Sequence, residues 1–118
     1  MILNSTCKQC RRAGKKLFLK GERCFSIKCA FTKKPYIPGI HKKLKSNIKF
    51  SEYGKLLRAK QELKQTYGIG ETQFKKYVKE VLKKKEGDKR ELLLKILEQR
   101  LDNVIFRAGL ALSRRGAR

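Results

Sequence analysis

No stretch of about 18 consecutive apolar residues occurs in the chain, so no segment is suited to cross a bilayer as a helix. Tryptophan is absent, His41 is the single histidine, and only ten Asp and Glu stand among 118 residues. One imidazole and no acidic cluster leave little with which to build a general base or an open metal site, which argues against a nuclease or thiol oxidoreductase. The opening MILNSTCKQC lacks the apolar core of a secretory signal and the Arg- and Ser-rich amphipathic pattern of a transit peptide. A reducing, intracellular setting is the default expectation, and in it disulfides are the disfavoured use of cysteine.

What the chain has in excess is positive charge, with 32 Lys and Arg for a net +22. A compact chain of this kind repels itself unless a polyanion or counterions neutralise it, so nucleic acid is the expected partner, ahead of an anionic membrane surface. The charge is uneven: residues 1–51 hold 14 Lys and Arg and one acid, Glu22, while residues 52–118 hold 18 and nine. This shift places an organisational boundary near Lys49–Ser51, within a length that allows one domain or one domain plus an appendage.

Residues 1–50 show poor periodicity, and Gly14, Gly21, Pro35, Pro38 and Gly39 punctuate them. The expectation is loops, with room for a short hairpin, that need a staple because they cannot build a core. Past Ser51 the pattern turns helical. Ser51 is a candidate N-cap for SEYGKLLRAKQELKQTYG, with Gly68 placed as a left-handed C-terminal residue. The second helix, GETQFKKYVKEVLKKKEG, starts at Gly70 and stops at Gly87, with Lys83, Lys84 and Lys85 suited to the negative end of its dipole. A third begins at the capping box Asp88-x-x-Glu91, runs toward Gly109, and has a candidate break near Gln99–Arg100. Tyr53, Leu56, Phe74, Val78, Leu97 and Leu101 are the expected core. Ser113 is placed to cap a further turn at SRRGAR.

All four cysteines lie within CKQCRRAGKKLFLKGERCFSIKC. Their spacing is C-x2-C, thirteen residues, then C-x4-C, namely Cys7, Cys10, Cys24 and Cys29. Two close pairs on tight turns can bring four thiolates to the corners of a tetrahedron, and a shell with no open position is structural. Zinc is the expected ion and an iron–sulfur cluster the alternative, since the same thiolates serve both. Metal binding would then be folding energy for a segment without a core. Arg11, Arg12, Lys15, Lys16, Arg23 and Lys28 would partly offset the negative charge of a zinc tetrathiolate, but they are fewer than half of the cations in this half of the chain. His41, twelve residues beyond Cys29, is a candidate phosphate or base contact instead of a ligand.

With this cysteine segment, PYIPGIHKK, KLLRAKQELKQTYGIGETQFKKYVKE and LEQRLDNVIFRAGLALSRRGAR in view, the chain resembles the bacterial-type family of ribosomal small-subunit protein number four over nearly its whole length. The phrases LKGERC and RLDNVIFRAG with a downstream SRR carry the likeness. The resemblance implies a structural constituent that binds small-subunit rRNA at a 5′ domain junction and nucleates assembly. It further implies neighbouring ribosomal proteins, a position where mRNA enters the subunit, and a cytoplasmic or organellar ribosome. It also assigns the four cysteines to a zinc site.

Three departures stand out: Gly70 where the family often has serine, Ile40-His41-Lys42 after Pro38-Gly39, and an end at SRRGAR where the family continues through a small RNA-binding module. The expected fold is therefore mainly α. It comprises a four-cysteine, metal-stapled, loop-rich arm over 1–50, a helical domain over 51–99, and the first helix and turn of a truncated RNA-binding module over 100–118.

Phosphate contacts should supply affinity, and shape should supply discrimination, because the A-form major groove is too narrow for side-chain readout. Arginine suits bidentate phosphate geometry, which favours Arg11, Arg12, Arg23, Arg58, Arg107, Arg114 and Arg115. The accompanying candidates are Lys15, Lys16, Lys20, Lys28, Lys33, Lys34, Lys42, Lys43 and Lys45, with His41, Arg100, Ser113 and Arg118. Tyr36 and Phe25 are candidates for stacking on unpaired bases. Arg100, Asp102 and Asn103 also admit a purely local network. The rival reading is a zinc-containing DNA-binding or transcription factor, which requires a helix that reads base edges of a duplex.

Overall fold

The computed structural model describes residues 6–39 and 49–118, and these divide into two compact units, Met1–Thr66 and Tyr67–Arg118. The division falls at the end of a helix and not at the charge boundary near Lys49–Ser51. Residues 100–118 belong with the helices that precede them. Among the described residues no strand occurs, so the hairpin allowed for residues 1–50 is not found there.

The first unit contains α1 (Thr6–Ala13), a 3-10 turn (Gly21–Cys24), α2 (Ala30–Lys33) and α3 (Glu52–Thr66). Helix α1 replaces the loop expected of this segment. Its stop signal was legible: Gly14 takes φ +77° and donates its N–H to the Cys10 carbonyl at 3.0 Å, while Arg11 and Arg12 sit at the negative end of the dipole. The buried side chains here are Leu17 and three thiols, Cys10, Cys24 and Cys29, so sulfur does much of the work that aliphatic groups usually do.

Helix α3 starts as expected, with Ser51 Oγ accepting the Gly54 N–H at 3.2 Å. Its apolar stripe, however, is uncovered: no residue of α3 is buried, and Tyr53 and Leu56 are 74% and 71% exposed. Both expected core assignments are therefore corrected. The reason is visible in what α3 offers to α1. The two helices pack together, and the groups that join this region are polar, Lys15 Nζ to Glu62 Oε1 at 2.6 Å and Arg58 Nη2 to the Arg12 carbonyl at 3.4 Å.

The second unit contains α4 (Glu71–Lys83), α5 (Lys89–Glu98) and α6 (Leu101–Arg107), with α4 packed on α5 and α5 on α6. Gly68, at φ +64°, turns the chain into this unit. Asp88 caps α5 by accepting the Arg90 N–H at 2.8 Å. Helix α4 ends at Lys83, earlier than Gly87, because Lys84 becomes extended and the Lys89 ammonium donates to the Leu82 and Lys84 carbonyls. Tyr67, Ile69, Phe74, Val81 and Leu97 form the core, and Leu97 is completely enclosed. Val78 is half-buried.

The helix does break at Gln99–Arg100, and the break resets the helical phase. Leu101, expected inside, is 74% exposed, whereas the polar Asp102 and Asn103 turn inward.

Candidate nucleic-acid interface

In the first unit, Cys7 and Cys10 lie one turn apart on α1 and therefore share a face. Cys24 ends the 3-10 turn and Cys29 immediately precedes α2. All four are free thiols, so none is used in a disulfide. Burial pushes the Cys10 thiol up from its usual value, and Cys24, Cys7 and Cys29 each add to the rise, so the four sulfurs share one neighbourhood.

Main-chain amides face this neighbourhood. Lys20 N–H donates to Cys24 Sγ at 3.3 Å, Leu17 N–H to Cys10, and the Phe31 and Thr32 N–H groups to Cys29. Burial alone would raise Cys29, but these amides, the Thr32 hydroxyl and the Lys16 charge outweigh it and hold the thiol below its ordinary value. Amides aimed at sulfur suit thiolates, and the donor set fits a four-thiolate metal.

The expected closed shell, in contrast, is not drawn together. Among the described residues no group of three His, Cys, Asp or Glu side chains is gathered tightly enough to hold an ion.

The cations divide between free-standing and committed heads. Arg12, Lys20, Arg23, Lys28, Lys33 and Lys34 are exposed. Lys16 Nζ donates to the Cys24 carbonyl at 3.3 Å, and Lys15 is paired with Glu62. Arg11 donates from Nε to the Tyr36 carbonyl at 3.0 Å, its guanidinium lies 4.7 Å over the Tyr36 ring, and its Nη2 is enclosed. That arrangement commits Nε, encloses Nη2 without a hydrogen-bond partner, and covers a face of the ring that Tyr36 would offer a base. Arg58 lies 3.9 Å over the Phe50 ring. His41, Lys42, Lys43 and Lys45 lie outside the described residues.

The second unit commits most of its C-terminal arginines to two carboxylates. Asp102 accepts from Arg100 through Nε at 3.1 Å and Nη2 at 3.0 Å, from Arg118 Nε at 2.8 Å, and from the Asn103 N–H at 2.9 Å. Burial works to raise its pKa, but the hydrogen bonds and charges of Arg100 and Arg118 prevail and hold the carboxyl below the usual range. Arg118 also donates to the Gly68 and Tyr67 carbonyls at 2.8 and 3.1 Å, and Arg100 Nη1 to the Tyr77 hydroxyl at 2.6 Å.

Glu98 is the second hub, and it was not singled out from sequence. The Tyr67 hydroxyl donates to Glu98 Oε1, Asn103 Nδ2 to Oε2 at 2.7 Å, and Arg107 Nη2 to Oε1 at 3.2 Å. The Tyr67 bond above all, with Asn103 and Arg107, holds Glu98 below its ordinary pKa against the opposing effect of burial. Arg114 donates to Asn103 Oδ1 at 2.7 Å and lies between the Tyr67 and Phe106 rings, 5.0 and 4.6 Å from their centroids. Arg100, Arg107, Arg114 and Arg118, all expected at RNA, thus have guanidinium groups engaged by other residues of the protein, with Arg107, 63% exposed, paired at the surface. Ser113 Oγ caps a local turn by accepting the Gly116 N–H at 3.1 Å. Arg115 is exposed. The signal for this knot was the run EQRLDN, whose two carboxylates fall among arginines on either side of a helix break.

Together these features define a small, helical, strongly cationic protein, with a thiol-cored first unit and an arginine–carboxylate knot in the second. The profile described as ribosomal protein S4/S9 N-terminal domain matches residues 2–98, and the chain belongs to that family. It is 54% identical over 112 residues, 95% of its length, to small ribosomal subunit protein uS4 of Thermotoga petrophila. Similar proteins of the same name occur in Thermosipho africanus, at 53%, and Caldicellulosiruptor saccharolyticus, at 54%, each with 95% of this chain covered. The chain spans about half the length, 52%, of these relatives. Among the described residues no helix is long and apolar enough to cross a membrane.

Proposed function

We propose that this chain is a structural, non-enzymatic constituent of the small ribosomal subunit that binds small-subunit rRNA. Its surroundings would be the neighbouring ribosomal proteins of a cytoplasmic ribosome. The observation that carries the reading is the charge of the first unit's sequence, where residues 1–51 set 14 cations against one carboxylate, and six of the cations named above stand exposed. The relatives' name, small ribosomal subunit protein, points the polyanion toward rRNA. Phosphate contacts would provide steep electrostatic affinity, and the helical scaffold would fix where those charges stand.

The finer reading is a grip on a multi-helix junction of the 5′ domain, made early in assembly and close to where mRNA enters the subunit. Because several of the second unit's arginines are engaged by Asp102 and Glu98, the first unit would bear most of the contact. Zinc, or alternatively an iron–sulfur cluster, would be held by Cys7, Cys10, Cys24 and Cys29. When bound it would supply a cross-link between α1, the 3-10 turn and the start of α2.

Chemical probing of small-subunit rRNA with the full chain tests the reading. Protection of one junction, undiminished by an equal mass of DNA duplex, supports it. Equal loss to the duplex would favour the DNA-binding alternative.

A further inference from the structure

Phe18 and Phe25 stack with ring centroids 5.0 Å apart and planes inclined by 29°. The pair is nevertheless open to solvent, with Phe25 76% and Phe18 40% exposed, and nearby Ile27 is 83% exposed. Aromatic side chains bury large areas when they serve a core, so an outward-facing stacked pair leaves that stabilisation unclaimed within the fold. The backbone strengthens the point. Phe18 takes φ +52°, the only described non-glycine residue with positive φ, and a bulky side chain resists that conformation. Such outliers persist where the surrounding structure holds them, and they gather at ligand sites.

The turn that carries Phe25 is itself well braced. The Phe25 and Ser26 N–H groups donate to the Glu22 carbonyl at 3.0 and 3.3 Å, and the Cys29 N–H donates to the Ser26 carbonyl at 3.1 Å. Ser26 Oγ donates to the Arg23 carbonyl at 3.1 Å and accepts the Lys28 N–H at 3.3 Å. Arg23, Phe25 and Lys28 therefore leave one fixed loop, and Lys20, exposed, leads into it. Glu22 is the single carboxylate in this stretch.

We propose that the Phe18–Phe25 pair is a stacking platform for an unpaired nucleobase of RNA, with Lys20, Arg23 and Lys28 taking the flanking phosphates. This rests on the rRNA-binding reading above and deepens it. Every nucleotide offers a base with a π face and a charged phosphate, and an aromatic pair whose loop also carries Arg23 and Lys28 is complementary to both. An apolar protein partner matches the rings but not these cations. Tyr36, the other aromatic suggested for stacking, has Arg11 over its ring and is not the platform.

The absence of tryptophan makes the test direct, since a Phe25→Trp variant carries a single indole reporter. Wild type, Phe25→Ala, Phe25→Leu and Phe25→Trp full chains are titrated with in vitro transcribed small-subunit rRNA at fixed salt. Circular dichroism checks that each variant retains the wild-type helical content. The platform predicts about 5- to 100-fold weaker binding for Phe25→Ala and for Phe25→Leu, with Phe25→Trp within about threefold of wild type. It also predicts quenching of the indole on binding. Wild-type affinity in Phe25→Ala, or in Phe25→Leu with an unquenched indole in Phe25→Trp, overturns the platform while leaving rRNA binding intact. Failure of the wild type itself to bind overturns the underlying reading instead.

Discussion

Asn103 donates from one amide nitrogen to two oxygens of Glu98, the main-chain carbonyl at 3.0 Å and Oε2 at 2.7 Å, and so ties α6 back across the break to the last residue of α5. Asn103 is 1% exposed, so nothing but protein can replace those bonds. Asn103→Ala leaves the Glu98 oxygens and Arg114 Nε short of a partner, and a loss of about 1–3 kcal/mol is expected. Asn103→Asp should cost more at neutral pH, because it sets a second carboxylate against Glu98, and part of that loss should return on acidification. Denaturant unfolding followed by circular dichroism measures both.

Asp102 predicts an acid limb. Its carboxyl is held below the usual range in the folded state, so its contribution is complete above the ordinary carboxylate pKa and is lost as pH falls through the folded value. Glu98 acts in the same direction. Asp102→Asn removes the charge that Arg100 and Arg118 grip, and the variant should be clearly less stable at neutral pH. The gap between the two proteins should narrow as pH is lowered from about 5 toward about 2. A gap independent of pH would show that the carboxylate charge is not what the arginines hold.

At the other end of the scale, burial and then the Glu98 hydrogen bond push the Tyr67 hydroxyl up to about 12. A raised phenol pKa favours the protonated form, so this contribution is present below about pH 10 and fades as pH rises toward the folded value. Ultraviolet titration should show a late phenol ionisation from Tyr67, and Tyr67→Phe should remove that late step.

Much of the helical part of the chain was legible in sequence. The Ser51 cap in the first unit, and in the second the Asp88 cap, the break near Gln99 and the burial of Phe74 and Leu97, all follow from local chemistry and helical spacing. Tyr53, Leu56 and Leu101 mark where that reasoning stops: periodicity shows that an apolar face exists, but not whether another element covers it. Helix α1 was hidden because its apolar positions are thiols, which read as ligands and not as core. The arginines were the hardest to read. Arg23 and Arg118 look alike in a sequence, yet Arg118 is bound to Asp102 by a contact sixteen residues back, and only the folded chain brings the two together.

For the cysteine cluster, the natively purified, reduced protein is expected to contain one zinc per chain, or iron if the cluster alternative holds. Cys24→Ser should abolish stoichiometric metal. Chelation should melt the α1 and α2 region while amide exchange in α4 and α5 stays protected, since the second unit has its own core of Phe74, Val81 and Leu97. Neither zinc nor iron in such a preparation would remove the metal from the account.

The salt dependence of rRNA binding tests the central claim most directly. A protein that displaces condensed counterions with lysine and arginine shows log K falling linearly with log salt, by somewhat less than one unit per phosphate neutralised. The exposed cations of the first unit predict a steep line, with a slope magnitude of about 4 or more. Substituting Arg12, Arg23 and Lys28 together by alanine should flatten it by about 2 to 3. A nearly flat line for the wild type would contradict binding through phosphates.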